Sequence, residues 1–215
     1  MTKVVIAGAG AHCKVVLDVL QESSEYEVIG LLDADTSHQI FGIPVIGTDE
    51  RLQELYDEGI HCGFVAIGSN KIRKKVQEKM EKIGFQMITL VSHHAVVSRY
   101  ATVGAGTILM PGAVVNAQAH IGKGCILNTN CSVDHDCQIA DFCHIAPGCA
   151  ISGSTKIGTG TFLGTGAKVI DGITIGEQTM IGAGATVVSN LPDHCLALGT
   201  PARVRKENWS NRKRR

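Results

Sequence analysis

The sequence predicts two units in series: a small α/β domain with an open parallel sheet over residues 1–88, and an all-β parallel β-helix over residues 89–215. Three observations carry this. Short apolar runs alternate with amphipathic segments up to about residue 88. From Val97 to Val187 every sixth residue is Ile, Val or Leu, sixteen positions without a break. Four places after each of the first fifteen comes a small residue, with Ile173 the one exception. Neither a helix nor an alternating strand has a period of six. A β-helix does, because each hexad supplies one short strand and one corner.

In the first unit, Val4–Ala7 reads as a buried strand, followed by the loop Gly8-Ala9-Gly10-Ala11. His12 to Glu22 forms an amphipathic helix with Val15, Val16, Val19 and Leu20 on one face. Val28–Leu32 is a second strand ending at Asp33, with Asp35 close behind. A turn region holds Pro44, and Asp49 to Glu58 is helical. Phe64–Ile67 is a third strand closed by Gly68, and Lys71 to Lys82 is a charged helix. An open parallel sheet binds ligands beyond the carboxyl ends of its strands. That marks Gly8 to Cys13, Asp33 to Asp35 and Gly68 to Asn70.

His93 and His94 mark the joint to the repeat. At three hexads per coil, the sixteen positions make about five coils, stacked roughly 4.8 Å apart. Glycines such as Gly106, Gly124, Gly148 and Gly166 fall three places after the aliphatic residue, where a tight corner needs a permissive backbone. Five of the eight cysteines, Cys125, Cys131, Cys137, Cys143 and Cys149, lie on the small inward sublattice and read as reduced core residues. After Val187 the period stops at Leu191-Pro192, and the chain ends in the basic run Arg212-Lys213-Arg214-Arg215, read as a solvated end.

Formal charge is zero and no basic stripe is interleaved with aromatics, which argues against nucleic acid as a partner. No apolar run approaches the ~18 residues of a membrane helix, no apolar signal region opens the chain, and no CxxC metal motif occurs. The expectation is a cytoplasmic protein without a bound metal.

An apolar β-helix interior leaves chemistry to the outer edges. Asn128, Asp134, His135, Asp136 and His144 fall within three hexads, among coils otherwise dressed with Gly, Thr, Ser and Ala. His135 lies two places after Val133, in a corner and facing out. A neutral imidazole beside a carboxylate is the usual general base near neutral pH. Taken alone, it is also what a surface histidine in a polar turn looks like.

The strings Asn128-Thr129-Asn130, Asp134-His135-Asp136 and Phe142-Cys143-His144-Ile145-Ala146-Pro147-Gly148 resemble the active-site coils of bacterial sugar O- and N-acetyltransferases of the left-handed β-helix class. The resemblance is strongest to nucleotide-linked 4-amino-sugar N-acetyltransferases of the bacillosamine-pathway type, with sialic acid O-acetyltransferase-like proteins beside them. It extends through Gly8-x-Gly10-x-His12, Leu32-Asp33, Ala66 to Asn70 with Ile72-Arg73-Lys74-Lys75, and Gly199-Thr200-Pro201-Ala202.

The resemblance implies left-handed winding, a homotrimer with its site between subunits, and acetyl-CoA as co-substrate. It implies direct acetylation of the amino group of a UDP-linked 4-amino-4,6-dideoxy sugar, in the service of cell-surface glycan synthesis. His135 corresponds to the catalytic base and Asp136 to its acidic neighbour, often Glu in the family; Asp134 is the alternative orienting group. Asn128 and His144 match residues near the acetyl group, and Gly153 the position whose N–H faces the thioester oxygen. Thr165, Ala183, Pro201 and Arg203 match the coenzyme groove. Gly8, Gly10, Ala11, His12, Asp33, Asp35, Gly68 and Asn70 match the nucleotide-sugar site, although Ala11 and Cys13 replace glycines seen in many relatives. Three other readings compete: a sugar O-acetyltransferase, a zinc hydrase on the same β-helix, and a non-catalytic nucleotide-sugar-binding scaffold. The zinc reading needs three histidines at metal spacing, and only His135 and His144 are expected to approach each other.

Overall fold

The computed structural model describes residues 1–207, so the basic run Arg212 to Arg215 lies outside the described residues. The first unit contains β1 (Thr2–Ala7), α1 (Ala11–Gln21), β2 (Tyr26–Leu32), β3 (Gln39–Ile40) and β4 (Ile43–Gly47). A 3-10 turn (Asp49–Arg51), α2 (Leu52–Asp57), β5 (Cys62–Val65), α3 (Asn70–Ile83) and β6 (Gln86–Met87) complete it. The sheet order is β3-β4-β2-β1-β5-β6, parallel except for the β3–β4 hairpin. Strand β1 shows why both faces are covered. Val4 and Ile6 join the cluster under α1, while Val5 and Ala7 join Leu52, Leu55 and Met80 on the other side.

Three local expectations change. In α1, Val16, Val19 and Leu20 are buried as expected and Cys13 and Leu17 join them, whereas Val15 is exposed. Pro44 sits in strand β4 rather than in a turn, and the reversal occurs at Phe41-Gly42, both with positive φ (51° and 81°). The helix expected from Asp49 to Glu58 is divided, because Thr48 caps a 3-10 turn ahead of α2 through a bond from the Glu50 N–H.

The second unit is a three-sided stack of parallel two-residue strands. Each predicted hexad becomes one strand with its aliphatic residue second, as in Ile126–Leu127, Ser132–Val133 and Gln138–Ile139 on the first, second and third faces. Successive strands on one face pair in register eighteen residues apart, as Leu109, Leu127 and Ile145 do. The inward cysteines and threonines do the same work. The Cys137, Cys143 and Cys149 thiols donate to the Ser152, Gly158 and Gly164 carbonyls at 3.1–3.2 Å, and the Thr107 and Thr161 hydroxyls donate to Gly122 and Gly176 at 2.7–2.8 Å. Each position takes a side chain small enough for the interior; Ala113, Ala119, Ala167 and Ala185 fill it without donating, whereas these cysteines and threonines also donate to a corner carbonyl. All eight cysteines are free.

The stack is longer than the repeat at both ends. Leu90–Val91 already pairs with Ile108–Leu109. Beyond Val187 one coil is shortened but the stack continues: Leu191 bridges to Ile175, Leu196–Leu198 pairs with Met180–Ile181, and Leu191, Cys195 and Ala197 are buried. The pattern stopped because its phase slipped, not because the helix ended. Arg203–Lys206 then folds back antiparallel on that last strand.

The two units share a core. Leu90, Ile108 and Ile126 point outward from the first face, one per coil, and are buried in one cluster with Cys13, Leu17 and Leu20 of α1. Among the described residues no helix is long and apolar enough to cross a membrane.

Candidate active site

His135 occupies the edge between the second and third faces, where its side chain is 59% exposed. Its Nδ1 lies 2.8 Å from Asp136 Oδ2. That bond and the two neighbouring carboxylates raise the imidazole pKa, which makes His135 a stronger base. The bond to Asp136 also leaves Nε2 free of that carboxylate. Asp134 does something different: its Oδ1 accepts from the His135 N–H and from Asn116 Nδ2, both at 2.9 Å, so it braces the backbone. Of the two acids left open by the sequence, Asp136 holds the ring. Asp136 itself sits at a left-handed corner, φ 58°, a position that glycine fills in many other coils.

Gly153 lies one coil further on, directly beneath the ring. A Cβ built there would stand 2.6 Å from His135 Cε1 and 2.7 Å from Nε2, so only glycine leaves room for the imidazole. Its N–H has no backbone acceptor among the described residues and is close to where His135 would work.

The other acetyl-site candidates lie elsewhere. Asn128 is at the edge between the first and second faces, and His144 projects from the first face, with Asn128 Nδ2 3.1 Å from His144 Nε2. His144 also meets the Phe162 ring edge-on at 5.0 Å. Thr165 and Ala183 are exposed along that same edge on later coils. Pro201 and Arg203 follow the last strand, and the Arg203 guanidinium bonds the Ala202 carbonyl at 3.1 Å. Within one chain, therefore, His135 and His144 do not approach each other, contrary to expectation. The second face separates the His135 edge from the Asn128 edge.

A cavity of about 700 Å³ opens at the carboxyl ends of β1, β2 and β5, and Gly8, Gly10, Ala11, His12, Asp33 and Gly68 line it as expected. Asp33 Oδ2 accepts the Ala9 N–H at 2.7 Å and so shapes the loop. Burial, with the Arg73 charge nearby, pushes the His12 pKa down to about 4, leaving the ring neutral; its Nε2 is buried without a partner among the described residues. Asp35 and Asn70 do not line the cavity. Asp35 bonds Ser37 in its own turn. The Asn70 side chain is engaged across the domain seam, donating to the Gly160 and Thr161 carbonyls at 3.0 and 3.2 Å, so a ligand role does not fit it. A shallow depression of about 720 Å³ on the third face contains none of the candidates.

In the sequence Arg73 is one charge of the Lys71 to Lys82 helix and part of the string Ile72-Arg73-Lys74-Lys75, with no role of its own. It is 1% exposed. Its guanidinium donates to the Gly124 carbonyl at 2.7 Å, to Ile67 and Gly68, to Asn70 Oδ1, and to Phe142 and Cys143. Burial lowers its pKa to about 10, which still leaves it charged near neutral pH.

Known proteins share this architecture. Residues 3–80 match the PglD N-terminal domain, and residues 154–189 match the bacterial transferase hexapeptide (six repeats) family. Over nearly the whole length, the chain is 41% identical to a variant of perosamine N-acetyltransferase from Caulobacter crescentus, seen in complex with CoA and GDP-perosamine. That match covers 95% of this chain and 97% of that one, with a TM-score of 0.93. This chain belongs to the PglD-type hexapeptide-repeat N-acetyltransferases. Its fold is accordingly that of a PglD-type α/β domain followed by a left-handed parallel β-helix. A second solved structure, the acetyltransferase domain of PglB from Neisseria gonorrhoeae FA1090 in complex with acetyl coenzyme A, is 38% identical. It covers 94% of this chain and 98% of that one, with a TM-score of 0.90. UDP-N-acetylbacillosamine N-acetyltransferase of Bacillus subtilis (strain 168) is 35% identical over 116 residues, so this chain spans about half (52%) of that curated relative.

Proposed function

We propose that this protein transfers the acetyl group of acetyl-CoA to the amino group of a nucleotide-linked 4-amino-4,6-dideoxy sugar, with His135 as general base. The carrying observation is the His135–Asp136 pair, 2.8 Å apart on an open edge above Gly153. In this reading the amine nitrogen bonds to the thioester carbonyl carbon while neutral His135 takes the amine proton at Nε2. The carbon–sulfur bond breaks and the coenzyme leaves as thiolate. The Gly153 N–H is the donor offered to the oxyanion. No acyl-enzyme is involved, which agrees with the inward, hydrogen-bonded cysteines of the repeat. The 700 Å³ cavity of the first domain holds the nucleotide.

The separation of the two edges supports a homotrimer. The base stands on one edge and Asn128, Thr165 and Ala183 on another, so a neighbouring copy must bring its coenzyme edge to this chain's base edge. The second face between them would turn inward, and it exposes Val96 (63%), Ile170 (41%) and Val188 (40%). The Bacillus relative's name favours a UDP carrier, whereas the Caulobacter complex contains GDP-perosamine. Free cysteines throughout support a reducing, cytoplasmic setting. The test offers UDP- and GDP-linked 4-amino sugars with acetyl-CoA and reads acetyl transfer by mass. Transfer lost in His135→Ala is expected, and His135→Ala at full turnover would sink the base assignment.

A further inference from the structure

Helix α3 runs along the third edge of the β-helix and engages it coil by coil. Gln77 Nε2 donates to the Ala105 carbonyl, Arg73 to Gly124, Phe142 and Cys143, and Asn70 to Gly160 and Thr161. A helical turn rises about 5.4 Å and a coil about 4.8 Å, so residues spaced three or four apart fall opposite corners spaced eighteen apart. This match in pitch lets one straight helix act as a ruler against the stack.

Arg73 is the one member of this series that also reaches the nucleotide cavity. Its Nη1 donates to the carbonyls of Ile67 and Gly68, in the loop that forms part of the cavity wall, at 3.0 and 3.2 Å. Its Nη2 donates to Cys143, the residue just before His144 of the transfer site. A guanidinium presents five donors in a rigid plane, and here the charge meets carbonyl oxygens and an amide. Such an arrangement specifies geometry more than it gains ion-pair energy.

We infer that Arg73 is a positioning residue, a buried brace that sets the span between the nucleotide cavity and the coil bearing His144, so that an acceptor anchored by its nucleotide presents its amine to the transfer site. The inference rests on the reading that the acceptor is nucleotide-linked. Lysine has the charge but not the fork, so Arg73→Lys should let the two ends drift. An error near 1 Å in the placement of reacting groups costs about a hundredfold in rate.

The test compares wild type and Arg73→Lys as full chains. Turnover is measured with the nucleotide-linked amino sugar and with the same sugar lacking its nucleotide, and Kd is measured for the nucleoside diphosphate and for CoA. The expected result is about a hundredfold lower kcat on the linked acceptor, with both Kd values and the unlinked rate within about twofold. Linked kcat near wild type, or an equal fall on both acceptors, overturns the inference. Should Arg73→Lys fail to fold, Asn70→Ala removes a neighbouring tie while keeping the guanidinium. It should show a smaller fall confined to the linked acceptor, and an equal fall on both overturns the brace. If the wild-type chain acetylates no nucleotide-linked amine, the proposed reaction fails separately. Hydrogen exchange then decides: amides of residues 67–70 and 142–144 should quicken together in Arg73→Lys, and quickening of one segment alone overturns the inference.

Discussion

Gly153→Ala is a one-carbon test of the site. The backbone there is not in the left-handed region, so alanine introduces no conformational strain, and the obstacle is the imidazole alone. The new Cβ would stand 2.6 Å from Cε1, 2.7 Å from Nε2 and 3.1 Å from Nδ1 of His135. Ordinary contact begins near 3.4 Å, so the ring must retreat by close to 1 Å. Because its side chain is 59% exposed, it can swing outward at little expense to the fold. A displacement of that size predicts a fall in kcat of about a hundredfold, or about 2.7 kcal/mol in the barrier. Steady-state release of the coenzyme thiol reads kcat, and thermal unfolding run in parallel should give an unchanged Tm. Wild-type kcat in Gly153→Ala would refute the placement of His135 over Gly153 as the working geometry. Loss of activity together with a collapsed Tm would refute the claim that the strain falls on the ring.

Other outcomes follow from the same structure. The Asp136 bond raises the His135 pKa, and protonated His135 is no base, so activity should rise with pH through that pKa. Asp136→Asn should move this acid limb to lower pH while lowering the plateau, as a kcat/KM profile would show. Ile126→Ala removes a side chain buried between the β-helix and α1 and should destabilise the protein by about 2–5 kcal/mol in denaturant unfolding. Burial pushes the Cys13 and Cys131 thiols up to about 12, so a thiol reagent at pH 8 should spare them in the native protein and reach partly exposed Cys62 first, which peptide mapping would reveal.

The hexad made the β-helix legible because every corner consumes the same number of residues, and adjacency alone made His135 and Asp136 readable as a pair. Position within an eighteen-residue coil would also have shown Asn128 and His135 on different edges. The same period marks Leu90, Ile108 and Ile126 as an outward apolar column, the mark of something docked there. Leu191, Cys195 and Ala197 restart the pattern after a two-residue slip that a strict count of six rejects. Arg73 carried no such signal. Its acceptors on the β-helix are main-chain carbonyls 51 to 70 residues away, and any residue type supplies a carbonyl.

The left-handed backbone at Asp136 sets the fold against the chemistry. An L-residue with a side chain there is disfavoured by roughly 1–2 kcal/mol, less for Asp than for most, and glycine would relieve it. Asp136→Gly should therefore yield a protein that melts at higher temperature and transfers acetyl groups poorly. Gln118, Asn130, Phe142, Ser154 and Gln178 hold the same left-handed corner in other coils, so the scaffold bears this cost repeatedly, and at Asp136 it bears it beside the His135 imidazole.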